Sequence, residues 1–325
     1  GGARLKVETE AHTRRLLMDG DRVTGVEYDR GGSRHRATAR AEVILSAGAI
    51  GSPQILQLSG IGPGALLTAH GIDVTRDMAG IGANLQDHLQ LRCAWGLSGA
   101  KTLNTMAGSL MGKARIGLEY MLKRSGPMSM APSQLGAFSK SRPDLDTPDL
   151  EYHVQPLSLD AFGGDLHAFD AMTASICNLR PESRGVVEIT SPDPLTAPRI
   201  APNYLSTEGD RQVAVAAIRQ ARAIMAQAPM ARYAPQEIKP GVDSDDEADL
   251  VRAAGDVGTT IFHPVGTVRM GSDAAAPLDA QLRLRGVDGL RVVDASVMPT
   301  ITSGNTNSPT IMIAERAADM ILAGA

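Results

Sequence analysis

Two distant stretches of the chain share one pattern, in which a short apolar run leads through small residues into a helix-forming segment. The run Val43 to Leu45 leads into "SAGAIGSPQILQLSG". Such a run, bounded by small residues, is typical of a buried strand in an α/β fold. Ser52 and Pro53 predict that the helix opens there and covers residues 54–58. The small residues before it predict either a ligand contact at Ala47 and Gly48 or a tight strand-to-helix turn.

The second stretch lies near the C-terminus, where "LRVVDAS" is followed after a loop by "NSPTIMIAERAADMI". We predict a buried strand ending in Asp294, then a helix capped by Ser308 with Pro309 at its first position. The free N–H groups at such a helix start favour negative charge. Asn305 and Asn307 come just before this helix, so amide side chains are expected beside a positive helix end.

His263 is distinguished from the other six histidines by its context, "TTIFHPVGT", where a strand-like run delivers it to a proline-containing turn. A base facing a site that stabilises negative charge suits oxidation of an alcohol through an alkoxide. The alternative, that His263 is only a polar residue at the end of a strand, stays open at this point.

The remaining segments predict a mixed fold. "RLKVETEAHTRRLLMDGDRVTGVEYDR" and the following "GGSRHRATAR" predict a hairpin or meander, and "LEYHVQPLSL", "MTASICNLR" and "GVVEIT" predict an antiparallel sheet. A helix is expected from a cap at Thr207 to a stop at Pro229. A shorter helix is expected between the capping pair Ser244 and Glu247 and an exit at Gly255.

A methionine-rich stretch, "NTMAGSLMGKARIGLEYMLKRSGPMSMAP", predicts a helix with Lys113, Arg115, Lys123 and Arg124 on its polar side. Our first interpretation is core packing, because methionine is an adaptable filler. The alternatives are a mobile cover over a site and a patch that touches a membrane surface.

Bulk properties exclude several classes of protein. The 325 residues favour two domains or one two-lobed unit, and the net charge of −4 with no basic stripe argues against nucleic-acid binding. Cys93 and Cys177 match neither a disulfide framework nor a zinc site, and the four acidic residues between positions 243 and 247 lack the pattern of a calcium loop. We therefore expect no metal, and a cytoplasmic location with membrane association as the alternative.

Six blocks resemble the glucose-methanol-choline (GMC) oxidoreductases, closest to the choline-dehydrogenase-like alcohol dehydrogenases. They are "EVILSAGAIGSPQILQLSGIGP", "GANLQDH", "LRPESRGVVEI", "APNYLSTEGD", "HPVGTVRMG" and "LRVVDASVMPTITSGNTNSPTIMIAERAADMI". The resemblance implies an FAD enzyme that oxidises a primary alcohol to an aldehyde, with hydride transfer to flavin N5. It favours a quinone or another carrier over oxygen as the electron acceptor. With a single tryptophan, Trp95, and few other aromatic residues, an aromatic cage for choline has little support, so primary aliphatic or aromatic alcohols are favoured over choline.

The resemblance also assigns roles to individual residues. His263 matches the catalytic histidine, and Asn307 matches the second active-site position. The positions that match cofactor-binding residues of the family are Val7, Ala47, Gly48, Asp294, Ala295, Asn307, Pro309 and Thr310.

The resemblance predicts three segments with different tasks. Residues 1–90 would belong to a partial Rossmann-like FAD-binding lobe, residues 91–263 to a substrate-binding lobe on an antiparallel sheet, and residues 264–325 would complete the FAD-binding lobe. Neither "GIGPGA" nor "GIGANL" is a G-x-G-x-x-G loop, so we expect the chain to match the C-terminal portion of such an enzyme. The alternatives are a non-catalytic fragment or subunit that needs an N-terminal partner, and a lyase that keeps FAD without redox chemistry.

Overall fold

The computed structural model describes residues 5–131, 133–161 and 163–324 and divides the chain into two compact units. Unit 1 consists of Gly1–Asp87, Ser183–Tyr204 and His263–Ala325. Unit 2 consists of His88–Glu182 and Leu205–Phe262. Ser183–Tyr204 therefore belongs to unit 1, although the sequence placed this segment in the substrate-binding lobe.

The described residues form fifteen strands, eight α-helices and two 3₁₀ turns. The strands are β1 His12–Asp19, β2 Arg22–Arg30, β3 Ser33–Thr38, β4 Val43–Leu45, β5 Ile61–Gly62, β6 Arg76–Asp77, β7 Leu89–Gly96, β8 Leu135–Ser139, β9 Leu150–Gln155, β10 Ala171–Asn178, β11 Val186–Glu188, β12 Arg199–Ala201, β13 Gln236–Lys239, β14 Gly258–Thr260 and β15 Leu290–Val292. The helices are α1 Gly48–Leu58, α2 Gly64–Ala69, α3 Leu103–Met106, α4 Leu110–Lys123, α5 Glu208–Met225, α6 Ala228–Ala231, α7 Glu247–Val257 and α8 Asn307–Leu322. The 3₁₀ turns are Pro127–Ser129 and Ala295–Val297.

Unit 1 contains the predicted meander and a parallel pair of strands. Strands β1, β2 and β3 pair antiparallel in chain order, and β4 pairs parallel with β15. Aliphatic side chains from β1, β2, β4, β15, α1 and α8 share one core, to which Leu45, Leu56 and Val292 contribute. The mixed α/β fold class is thus confirmed, with helices α1 and α8 following the two parallel strands.

The expected helix over residues 54–58 is longer than predicted. It begins at Gly48, and Pro53 lies inside it rather than at its first turn. Gly48 has a φ of 79°, which glycine adopts without a steric cost, so the chain turns directly from β4 into α1.

The run "GVVEIT" does not join the antiparallel sheet that the sequence predicted for it. Strand β11 pairs with β12 instead. The buried side chain of Gln57 explains the difference, because its Nε2 donates to the Val187 carbonyl at 2.9 Å and its Oε1 accepts the Ile189 N–H at 2.8 Å. Gln57 thereby attaches this segment to α1.

Unit 2 is built on a six-stranded antiparallel sheet. Its order is β13-β7-β10-β9-β8, and β14 also pairs with β7. Helices α5 and α7 contact each other and β7, and their apolar side chains share a core with Leu91, Trp95 and Ile176.

The predicted helix boundaries in unit 2 are partly right. The Thr207 hydroxyl accepts the Asp210 N–H as expected, but α5 ends at Met225, before Pro229. The pair Ser244 and Glu247 was wrong as a cap, and α7 continues through Gly255 to Val257. Its capping residue is Asp246, whose carboxylate accepts two backbone N–H groups. The Ser244 hydroxyl instead donates to the Asp249 carboxylate at 2.8 Å.

The methionine-rich stretch is helical but does not pack into a core, so our first interpretation of it was wrong. It forms α3, α4 and the turn Pro127–Ser129. No residue of α4 is buried, and Met111 and Met121 are 83% and 74% exposed. Among the described residues, no helix combines the length and apolar character needed to cross a bilayer. The same residues contain no group of three or more His, Cys, Asp or Glu side chains that could hold a metal ion.

Candidate functional site

The parallel pairing of β4 and β15 brings the two predicted strand-to-helix turns together. Val292 lies opposite Leu45, and the Val293 N–H donates to the Leu45 carbonyl at 2.8 Å. Because the carboxyl ends of parallel strands meet at one edge, the turn at Ala47 and Gly48 lies beside the turn at Asp294. Val7 lies outside any helix or strand before β1 and is 71% exposed.

Asp294 joins the two turns through hydrogen bonds. Its Oδ2 accepts the Gly48 N–H at 2.9 Å and the Ser52 hydroxyl at 2.5 Å, and its Oδ1 accepts the Ser296 N–H at 2.8 Å. The Ser52 hydroxyl oxygen also accepts the Ala47 N–H at 3.1 Å. The buried carboxylate therefore lies at the positive end of α1 and is bonded by three protein donors. From the sequence we predicted Ser52 only as a helix opener, and not as a donor to this carboxylate.

His263 is held by its backbone against an acid that the sequence analysis also missed. Its N–H donates to the Asp87 Oδ1 at 2.9 Å, and the Tyr204 hydroxyl donates to Oδ2 of the same carboxylate. Two residues further on, Val265 and Gln86 exchange backbone hydrogen bonds of 2.9 and 3.0 Å. Asp87 is the next-to-last residue of the block "GANLQDH", and its position opposite a residue 176 positions away could not be predicted from local spacing.

The side chain that reaches the His263 ring belongs to Asn305. Its Nδ2 lies 3.3 Å from the His263 Nε2. An amide NH₂ group only donates, so this contact is a hydrogen bond when Nε2 is the unprotonated ring nitrogen. Asn307 follows Asn305 by two positions, is the first residue of α8 and is exposed. The structure therefore pairs His263 with Asn305, whereas the resemblance pointed to Asn307 as the second active-site residue.

The loop that carries Asn305 is anchored near its start by an amide pair. Gln86 is buried, its Nε2 donates to the Pro299 carbonyl at 3.1 Å, and its Oε1 accepts the Ile301 N–H at 3.2 Å. The Asn84 amide donates to the Gly266 carbonyl at 3.1 Å. The segments around His263 and Asn305 are thus attached to the same short stretch, residues 84–87.

A further contact attaches the His263 segment to α1. Pro53 has no N–H, so the carbonyl of Ala49, four residues earlier, lacks its usual helical donor. The Thr267 hydroxyl donates to that carbonyl at 2.6 Å, and Thr267 is fully buried. The proline inside α1 therefore creates an acceptor that the residues following His263 satisfy.

The start of α8 differs from the prediction. The capping position is Thr306, not Ser308, and no side chain caps the helix. Ser308 is the second helical residue and Pro309 the third. Both the N–H and the hydroxyl of Thr310 donate to the Thr306 carbonyl. The first N–H groups of α8 thus meet no capping side chain and remain suited to an anionic or carbonyl group of a ligand.

Comparisons with known proteins give one consistent result. Two models, each described as GMC oxidoreductase, match residues 2–90 and 181–314. The chain is 42% identical to an alcohol dehydrogenase [acceptor] of Pseudomonas putida, over 98% of the chain and 58% of that protein. It is also 42% identical to an oxygen-dependent choline dehydrogenase of Burkholderia cenocepacia, over 98% of the chain and 56% of that protein. The chain thus spans a little over half the length of these relatives.

Solved structures are similar over nearly the whole chain. Pyridoxine 4-oxidase from Mesorbium loti is 30% identical, with a TM-score of 0.79 over 95% of this chain and 56% of that one. A formate oxidase variant from Aspergillus oryzae, studied for FAD modification, is 26% identical, with a TM-score of 0.88 over 97% of this chain and 60% of that one.

Proposed function

Because this chain belongs to the GMC oxidoreductase family, we propose that it supplies the alcohol-oxidising residues of an FAD-dependent enzyme. The proposed reaction converts a primary alcohol to an aldehyde. The observation that carries the proposal is the His263 ring, whose Nε2 meets an amide donor while its backbone N–H is bound by the buried Asp87. An unprotonated nitrogen held in this way is suited to accept a proton.

We propose that Nε2 of His263 takes the hydroxyl proton of the alcohol. The Asn305 amide, which meets the same nitrogen when no alcohol is bound, orients the His263 ring for this proton transfer. Asn307, which follows closely at the start of α8, is the predicted second donor to that oxygen as negative charge develops. Donors aimed at a developing oxyanion lower the barrier of such a reaction.

The edge formed by β4 and β15 fits FAD on three observations. The Ser296 hydroxyl is buried and has no hydrogen-bond partner among the described residues. A Cβ atom added at Gly48 would meet no atom beyond its chain neighbours within 4 Å, so the turn is open to a close approach. The Asp294 carboxylate accepts three hydrogen bonds from protein groups, so its negative charge is compensated near the place proposed for the cofactor's phosphates.

We propose that the cofactor is held by backbone and side-chain groups around this edge, with Val7 nearer the adenine and Asp294 acting through Gly48 and Ser52. When bound, FAD accepts the hydride that leaves the alcohol carbon. A quinone or another carrier is the proposed final acceptor. The residues proposed to hold FAD directly are Val7, Ala47, Gly48, Ala295, Asn307, Pro309 and Thr310.

The test is anaerobic stopped-flow reduction of the FAD-loaded complete gene product by a series of primary alcohols. The His263→Ala variant should slow reduction by about 10²- to 10⁴-fold, the usual contribution of a general base, with normal flavin content. The matched control is His35→Ala, on the exposed strand β3, which should leave the rate unchanged. A His263→Ala rate within about threefold of the parent would remove the imidazole from the mechanism.

Two asparagine variants separate positioning from contact with the alcohol. Asn307→Ala should slow reduction while flavin content stays nearly normal, because six other residues are also proposed to hold FAD directly. Asn305→Ala should have a smaller effect on the rate, because its proposed work is to orient His263. If Asn307→Ala loses the flavin instead, the residue is a cofactor anchor and not a donor to the alkoxide.

A further inference from the structure

Helix α4 presents an apolar surface to solvent, and this surface is independent of the proposed alcohol chemistry. The Ser109 side chain caps the start of the helix by accepting the Gly112 N–H at 3.0 Å, and the helix ends at Lys123, before Arg124, whose φ is 52°. It is therefore a well-terminated helix, yet none of its residues is buried. Apolar residues in solvent that lie together, and not singly, indicate a contact surface.

The exposed apolar side chains of α4 lie on one side of the helix. At 3.6 residues per turn they fall within an arc of roughly 120°. The opposite side, with Ile116 and Tyr120, is partly buried. We call the exposed side the apolar stripe; it consists of Leu110, Met111, Ala114, Leu118, Met121 and Leu122.

Basic residues lie along both edges of the apolar stripe. Lys113 falls beside one edge and Arg115 beside the other, and both are exposed. Glu119 is the single acidic residue of α4, and its carboxylate lies on the partly buried side, where the Ser125 hydroxyl donates to it at 3.3 Å. The exposed side of the helix is thus apolar at its centre and positive at its margins.

A second exposed apolar group lies directly beyond the helix. The turn Pro127–Ser129 contacts α4, and Met128 and Met130 are 58% and 43% exposed. They extend the apolar surface past the end of α4 without adding an acidic side chain.

We propose that α4 docks on an anionic phospholipid surface, with the apolar stripe inserted among the acyl chains and the basic residues at the headgroups. A helix with an apolar face, Lys and Arg at the margins and flexible Leu and Met side chains is the pattern of an interfacial membrane helix. The flanking positive charge selects lipid over an uncharged protein groove, because each Lys or Arg near an anionic bilayer adds to binding. The proposal requires no helix that crosses the membrane.

The first experiment measures partition of the complete gene product onto vesicles of phosphatidylcholine containing about a quarter phosphatidylglycerol. Leu118→Ser and Leu122→Ser should each weaken binding by about tenfold, because each removes a side chain that becomes buried in the bilayer. The matched control is Leu195→Ser in unit 1, where the leucine is 70% exposed and far from α4 in sequence; binding should stay within about twofold.

Charge variants test the electrostatic part of the proposal. The double variant Lys113→Gln and Arg115→Gln should weaken binding to anionic vesicles by roughly 25-fold and leave any binding to pure phosphatidylcholine unchanged. Binding that is equal on the two vesicle types, or that does not fall with added salt, would overturn the anionic lipid as occupant.

A fluorescent label gives the answer without depending on a loss of binding. An environment-sensitive dye attached to Leu118→Cys should shift to shorter wavelength when anionic vesicles are added, and the same dye at Leu195→Cys should not. A dye at residue 118 that already reports an apolar environment without vesicles would show that protein covers the stripe. Sedimentation that shows self-association lost in Leu122→Ser would identify that cover as a second copy, and either result would overturn the proposal.

Discussion

Replacing Thr267 by valine should loosen helix α1 without changing the size of any core side chain. Threonine and valine have nearly the same shape, so the substitution removes only the hydroxyl that donates to the Ala49 carbonyl. That carbonyl has no helical donor, because the residue four positions later is Pro53. The substitution therefore leaves a buried acceptor without a hydrogen bond.

The expected cost follows from the burial of both groups. Thr267 is fully buried and Ala49 is 4% exposed, so water does not replace the lost donor. A buried acceptor left in this state costs about 1–3 kcal/mol, and we expect unit 1 to lose about 2 kcal/mol of unfolding free energy. In a Pro53→Ala background the new N–H at position 53 donates a hydrogen bond to the Ala49 carbonyl. There Thr267→Val should cost less than about 1 kcal/mol.

The assay must report unit 1 specifically. Trp95 is the single tryptophan and lies in the core of unit 2, so its fluorescence follows the unfolding of unit 2. Hydrogen exchange of peptides that cover residues 43–58 follows α1 and β4. We expect faster exchange in these peptides for Thr267→Val and an unchanged fluorescence transition.

The control is Thr68→Val, where an exposed hydroxyl donates to the Gly64 carbonyl inside α2. Water can replace that bond, so the change should cost less than about 0.5 kcal/mol. Equal destabilisation by Thr267→Val in the proline and alanine backgrounds would refute the reasoning, since the two positions would then not share the Ala49 carbonyl.

Two further predictions concern titratable groups. Glu27 is buried, which opposes its ionisation, but Arg15 and Arg36 on the neighbouring strands hold its pKa below the usual 4.5. Such a carboxylate stabilises the fold above its usual pKa, so Glu27→Gln should cost about 1 kcal/mol at pH 7 and nothing once the pH falls below the lowered pKa. Urea unfolding at several pH values checks this, and a penalty independent of pH would contradict it. Burial, with a smaller contribution from the Glu237 charge, raises the pKa of the Cys93 thiol to about 12, so iodoacetamide at pH 8 should label Cys93 only after denaturation. Labelling of the native protein at the denatured rate would show that the thiol is accessible.

The sequence predicted the elements that apolar patterning determines. The meander, the two strand-to-helix turns and most of the antiparallel sheet each depend on local alternation or on an apolar run beside small residues. The start of α1 was missed because Pro53 is usual in a first turn. The helix tolerates Pro53 because the Thr267 hydroxyl donates to the Ala49 carbonyl that the proline leaves without a donor. Thr267 lies 218 residues after Ala49, so no local pattern predicts this contact.

The candidate site was predicted in its residue types and only partly in its contacts. His263 and Asp294 could be proposed as site residues from the sequence because each ends or follows an apolar segment. Asp87, Ser52 and Asn305 acquire their roles from partners that lie 42 to 242 residues away, which no local pattern encodes. The methionine-rich helix was misread for a related reason, since periodicity indicates an apolar side without showing what covers it.

The discontinuous composition of unit 1 sets an order of events on the ribosome. All residues of unit 2 are made before His263 emerges, so its sheet and helices can fold while unit 1 is incomplete. Strand β4 has to wait for β15, whose last residue follows Leu45 by 247 positions. At ordinary elongation rates this delay is roughly 12 to 50 s. During that time the edge of β4 that later pairs with β15 lacks this partner, so the nascent chain is exposed to aggregation at residues that later build the candidate site.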